Sequence, residues 1–353
     1  MSNEAQARVT ANGSSLIRAD FAGNDAPCPV FPNVVGRQNS DDGKTPTISN
    51  ISPVLSINQL DDLFDFANLD RSVELACQLA VQHPKSLYLF MQRYTHFNGY
   101  AGSLVARLAS SIGLSRHLFN SSSNPVVDEA DRGLEIAAKV FAATIDEHSD
   151  RGAKFVPHRT LAQATLKSIG DYASLTVDER NTFSMLPDWM LEILDKTVQG
   201  YQGIPGNIIE LIRAIGFHAA SEVLAHREYS IIDRVVRHDN CNLGFDAYLR
   251  QINGKVEVEQ GQFSPWYWIV IHGKHQGVGV EAEHFQLALE ALDLVAKYRT
   301  ESDREIQKWA LQGFSEFVAI QQKLFQEILQ ECSELLKQKN RRSEVSRGVL
   351  TSG

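Results

Sequence analysis

Three groups of carboxylates and histidines, far apart along the chain, carry most of the chemistry this sequence can offer. They are Glu147 with His158, Glu222 with His226 close by, and Glu281 with His284 and, upstream, His272. Imidazole and carboxylate together suit redox-active iron better than soft thiolate sites do. Two carboxylates and one histidine per ion suffice for a dinuclear iron site, and these groups supply the full set without using any residue twice. Helical bundles build such centres from side chains projecting inward from facing helices, and Glu-x-x-His, the spacing of Glu281 and His284, is one of their signatures. The expectation is an oxygen-using metalloenzyme with a dinuclear iron site.

Each group also has a plainer reading. Glu147 ends an amphipathic segment, and His158 follows Pro157, which reads as the first residue of the next helical turn. They could converge on one ion or be a solvated helix end beside an unrelated histidine. Glu222 stands among Ala219, Ala220, Val223, Leu224 and Ala225, where a carboxylate is costly unless paired or metal-bound. Its alternatives are a salt bridge to Arg213 or Arg227, with Glu228 as a substitute ligand about 60° away on the helical wheel. His218 lies four residues before Glu222. His272 needs the glycine-rich stretch around Gly273, Gly277 and Gly279 to bring it round, because unbroken helix would put it opposite Glu281. His275 is its alternative. A fourth segment, FMQRYTHFNGYAG, interleaves aromatic and polar tips. Tyr94 and His96 in it are candidate pocket residues, the alternative being core packing.

Helices must position these groups. The clearest starts at a capping box of Ser302 and Glu305 and runs to about Lys339 on the spacing of Ile306, Trp309, Ala310, Phe314, Phe317, Phe325, Ile328 and Leu336. Others are expected from Pro84 to Ile112, from Asp128 to Glu147 with a continuation after Pro157, from Gly206 to Arg237, and from Phe263 to Lys297 with an interruption at the glycines. Shorter ones fall at 57–82 and 187–200. Strand signals are weak: KVEVE at 255–259 alternates but is short and isolated. Residues 1–55 are rich in Ser, Asn, Asp, Gly and Pro, which reads as a mostly disordered arm, and 340–353 reads as a disordered tail. The expected class is all-α, with one helical domain over 56–339.

The chain has 353 residues, 43% of them hydrophobic, enough for a substantial core. A net charge of −9 argues against nucleic acid as a partner. No stretch approaches the roughly 18 apolar residues of a membrane span, and the N-terminus lacks a signal pattern. Four separated cysteines form no CxxC pair, so they read as reduced thiols in a cytoplasmic protein. Neither G-x-S-x-G, a phosphate loop nor H-E-x-x-H occurs, which speaks against serine hydrolases, nucleotide enzymes and zinc proteases.

With these residues in view, the chain resembles the heme-oxygenase-like diiron oxidases and oxygenases, which share their fold with thiaminase II and pyrroloquinoline-quinone synthase. The pattern is a Glu and a His bracketing a helix junction (Glu147, His158), a Glu on a later helix (Glu222, in SEVLAHREY), and a closing His, carboxylate and His (His272, Glu281, His284). The segment HPKSLYLFMQRYTHFNGYAG resembles the family's opening helices. Glu281 stands where the family has aspartate, and its distance from His272 is longer than usual. The resemblance covers roughly 57–339. It implies a helical bundle holding two ferrous ions that activate dioxygen against a small molecule, by N-oxygenation or oxidative C–C cleavage of an amino acid or amine, in natural-product or cofactor biosynthesis. It also admits a homodimer. The rivals are a metal-free, thiaminase-II-like enzyme with Glu222 as acid and base, and a non-catalytic helical interaction protein.

Overall fold

The computed structural model describes residues 7–11, 16–21, 31–32, 53–150, 155–252, 254–259, 261–273 and 280–350, with side chains described between 53 and 339. The chain divides into two units, Met1–Ser52 and Pro53–Gly353. In the first, strands β1 (Ala7–Ala11), β2 (Leu16–Phe21) and β3 (Phe31–Pro32) pair antiparallel in sequence order. The sequence reading assigned no strand there.

Among its described residues the second unit is helical apart from one hairpin and one isolated bridge. Its helices are α1 (Ile57–Leu63), α2 (Phe66–Ala80), α3 (Pro84–Asn98), α4 (Ala101–Gly113), α5 (Arg116–Phe119), α6 (Arg132–His148) and α7 (His158–Tyr172). They continue with α8 (Val177–Ser184), α9 (Asp188–Gly200), α10 (Ile208–Asp233), α11 (Phe245–Gln251), α12 (Tyr267–Gly273), α13 (Val280–Tyr298) and α14 (Asp303–Leu350). The 255–259 segment is not isolated: β4 (Val256–Val258) pairs with β5 (Gly261–Phe263). The expected helix from Pro84 to Ile112 is two helices, because the chain turns at Gly99 and Tyr100. Helix α14 continues to Leu350, past the end of the apolar pattern near Lys339 and into the segment expected to be disordered. Its last turns carry good helix formers in Arg342, Glu344 and Arg347, so propensity extends it where packing no longer does.

Local signals explain the elements that matter. Ser56 with Gln59 and Thr176 with Glu179 form capping boxes on α1 and α8. Asn207 caps α10, its side chain accepting from the Glu210 amide. Helix α10 is buried over most of its length and packs on α14, α13 and α12, while α6 packs on α4 and α13. The contact of α10 with α14 is backbone to backbone. A Cβ on Gly216 would lie 2.0 Å from the Ala310 carbonyl oxygen, and one on Gly313 would lie 1.8 Å from that of Arg213. Only glycine permits this approach. Phe217 of α10 packs edge-on to Phe317 of α14 beside it, with ring centroids 5.0 Å apart.

One buried charge is fully matched. Arg93, on α3, is 4% exposed and grips Glu331 of α14 with Nε at 2.8 Å and Nη2 at 3.1 Å. Its Nη1 donates to the carbonyls of Phe183 and Met185. Glu331→Gln would leave the guanidinium without its anion and, with Glu331 partly exposed, is expected to cost about 1.5–3 kcal/mol in urea unfolding.

Candidate metal centre

The first group meets at the junction of α6 and α7. Pro157, with extended backbone, ends the connection and α7 begins at His158. An isolated bridge pairs Asp150 with Val156, the Asp150 amide donating to the Val156 carbonyl at 3.1 Å. This closes the junction and sets His158 Nδ1 3.0 Å from Glu147 Oε1. A Cβ on Gly102 of α4 would come within 2.8 Å of the Glu147 Cβ, so glycine lets α4 lie against α6 there.

His272, in the last turn of α12, reaches the same point. Its Nε2 lies 3.0 Å from His158 Nδ1, 3.5 Å from Glu147 Oε1 and 3.3 Å from Glu281 Oε1. Helix α12 ends at Gly273 and α13 begins at Val280; Gly277, Gly279 and His275 fall at 274–279, outside the described residues. A Cβ on Gly273 would lie 2.6–2.8 Å from the backbone of Tyr229 and Ser230, so a bulkier residue would push α12 off α10.

Glu281 and His284 sit one turn apart on α13. His284 Nδ1 lies 3.4 Å from Glu222 Oε2, and Glu222 Oε1 lies 3.3 Å from His218 Nδ1. The structure thus brings Glu147, His158 and His272 to one point, with Glu281 against His272, and Glu222 with His284 to a second, joined through the first turn of α13. The salt bridge weighed for Glu222 does not form: Arg213 pairs with Glu210 and Glu316, and Arg227 with Asp70. It is His218 rather than His226 that touches Glu222.

The outer nitrogens of the three histidines decide what the inner ones can do. The Trp268 carbonyl can only accept, so His272 Nδ1 carries the proton donated to it at 2.6 Å. His158 Nε2 faces Asp150 Oδ2 at 3.1 Å, and His284 Nε2 faces Asp146 Oδ2 at 3.1 Å. Metal-bound histidines almost always donate their second N–H to a carboxylate or carbonyl in this way. Neutral His158 and His272 then point lone pairs at each other from 3.0 Å, beside two carboxylates. Such a group repels itself unless a proton or a metal ion lies among the donors; burial opposes a proton on His158, but hydrogen bonds to Glu147 and Asp150 raise its pKa.

Geometry fits a metal ion there. Donors about 2.0–2.2 Å from one ion, at roughly 90–109° to each other, lie about 3.0–3.5 Å apart. The three distances within Glu147, His158 and His272 are 3.0, 3.0 and 3.5 Å. Glu147, His158 and His272 form a grouping with metal-binding spacing. Glu281 Oε2 is buried without a hydrogen bond, a further free donor. Asp146 and Asp150 were not singled out from sequence. Their only signal was the acidic run around Glu147.

The electrostatics show proton competition at these donors. Burial raises the Glu281 pKa to about 8, with the negative Glu222 adding to it and His272 opposing. Burial opposes protonation of His284, but hydrogen bonds to Asp146 and Glu222 overcome it and lift the pKa to about 10. For Glu147, burial is outweighed by hydrogen bonds from His158 and His272, which hold it well below the carboxylate range. Asp150→Ala, which removes the acceptor behind His158, is expected to weaken metal binding about 10–100-fold in a competition titration with a chelating dye.

A cavity of about 210 Å³ opens on this centre, lined by Glu147, His158, Glu222 and Glu281 together with Thr95, Asn98, Thr197 and Tyr201. Tyr94 and His96 do not line it; their neighbours Thr95, Phe97 and Asn98 do. Successive residues on a helix point about 100° apart, so Tyr94 turns into the core and His96 packs edge-on to Tyr100. Glu228, the substitute ligand weighed above, lines the cavity but faces Tyr94 and Gln321.

Burial raises the Glu228 pKa to about 7, against hydrogen bonds that lower it. The folded protein therefore holds this proton more tightly than the unfolded chain does. The stability so gained is complete below pH 4.5 and is lost as pH rises through 7. Glu228→Gln, always neutral, is expected to remove this decline, which is about 3 kcal/mol at most, from urea midpoints between pH 4 and 8.

No protein-family model matches the sequence. Among solved structures, the chain is similar to that of a TenA homolog from Pseudomonas syringae pv. tomato. The likeness has a TM-score of 0.42 at 11% sequence identity and covers 78% of this chain and 98% of that one. Among the described residues no helix is long and apolar enough to cross a membrane.

Proposed function

We propose that the protein is a non-heme dinuclear iron oxygenase of the heme-oxygenase-like kind, using dioxygen on an amino acid or amine-like small molecule. One observation carries the reading: three buried histidines each give one ring nitrogen to an outer acceptor and turn the other toward carboxylates. Glu147, His158, His272 and Glu281 would hold one ion, and Glu222 and His284 the other. Iron held there would supply electrons to dioxygen, chemistry no side chain can provide.

The chain's own residues do the rest. The carboxylates offset the cation charge. Asp146, Asp150 and the Trp268 carbonyl fix the imidazole orientations. Phe97, Trp268 and Phe317 give the cavity apolar wall, while Thr95, Asn98 and Tyr201 offer polar groups to orient a small substrate. The test is to load the purified protein anaerobically with ferrous iron, expose it to air with amino acids and amines, and follow mass change. No iron above background would sink the reading.

A second reading has its own support. Glu222 lies between His218 and His284, and Tyr201 and Ser221 share a short hydroxyl contact beside it. That could serve acid–base chemistry without metal, as in thiaminase II, with Glu222 as acid and base. Activity that survives exhaustive chelation would favour it.

A further inference from the structure

In the cavity wall and just behind it lies a group of oxidisable rings that metal binding does not use. Tyr229 stacks on His272, with ring centroids 4.5 Å apart and planes at 22°. Tyr94 meets Tyr229 edge-on at 5.4 Å, and Trp268 contacts both, at 5.3 Å from Tyr229 and 5.9 Å from Tyr94. All three rings are buried, at 0–3% exposure. We propose that Tyr229, Trp268 and Tyr94 form an electron relay that lets Tyr94 supply one reducing equivalent to the metal centre through the face of His272. This rests on the dinuclear iron reading.

Packing alone explains less of this arrangement. The Tyr94 hydroxyl is buried without a hydrogen bond of full geometry, a cost that phenylalanine would avoid. The hydroxyl lies beside the Glu228 carboxyl, which raises its pKa further after burial has done so. A buried phenol gives up an electron readily only when its proton has somewhere to go, and Glu228 is a base within reach. In the step, Tyr94 loses one electron, the dioxygen-derived oxidant at the centre gains it, the phenol O–H bond breaks and an O–H bond forms on Glu228. Return of an electron and the same proton restores both. Beyond Tyr94 the contacts are Phe90 and Phe325, which oxidise far less readily, so the oxidising equivalent stops at Tyr94.

The test is electron paramagnetic resonance of the full-length, ferrous-loaded protein, freeze-quenched after mixing with oxygenated buffer, with iron content and oxidation state read by Mössbauer spectroscopy on the same samples. The wild type should show an organic radical that narrows when the protein carries ring-deuterated tyrosine. Tyr94→Phe, which removes only the hydroxyl beside Glu228, should abolish that signal while iron binding and oxidation stay normal. Tyr229→Phe should slow radical formation at least tenfold. Oxidised iron with no radical, or the same radical in Tyr94→Phe, would overturn the relay and leave the iron reading standing. Absence of bound iron would overturn both.

Discussion

His272→Ala is expected to lower metal affinity at least about 100-fold, a larger loss than for outer partners such as Asp150. The residue stands at the crossing point of the centre: its Nε2 faces His158, Glu147 and Glu281 within 3.0–3.5 Å. Its removal leaves Glu147 without one of the two hydrogen bonds that offset its burial. His272→Ala should therefore lose both metal and turnover, whereas His226→Ala, on the same helix as Glu222 but not touching it, should keep both. Equilibrium dialysis against ferrous or manganous ion reads the first, and product formation under air the second. Unchanged metal uptake in His272→Ala would remove the first ion position.

The largest stability loss is expected from Gly313→Ala and Gly216→Ala. Each new Cβ would fall 1.8–2.0 Å from a carbonyl oxygen of the facing helix, where no side chain can swing aside. Helices α10 and α14 would have to separate along their main contact. Overpacking commonly costs about 1–3 kcal/mol, and a clash with backbone belongs at or above the top of that range. Urea midpoints of each variant measure it. Because α10 carries Glu222, both variants should also weaken metal binding, which tests whether the bundle sets the site.

The sequence made the helices legible where an apolar stripe repeats over several turns, as in α14 and α10. It could not place the breaks in them. The turn at Gly99 and Tyr100 interrupts a continuous helical pattern, and short α8, with no buried residue, offers no stripe to find. Within the site, Glu281 and His284 were readable because one helix holds them at fixed spacing. Glu147 and His158 were readable as a pair because Pro157 marks the start of α7. The preference of Glu222 for His218 over His226 depends on which way α10 faces, and both lie four residues away. Asp146 and Asp150 act through the outer nitrogens of histidines, and nothing in their own neighbourhood announces that. Tyr94 was singled out for its aromatic surroundings, but the helix turns it behind the wall it was expected to form.

Anomalous diffraction from crystals grown with ferrous iron under anaerobic conditions tests the central claim most directly. The account predicts about two iron peaks per chain. One lies among Glu147, His158, His272 and Glu281, and the other lies against Glu222 and His284. Crystals soaked in excess iron that show no anomalous density among these side chains, with His158 and His272 still facing each other, would contradict it.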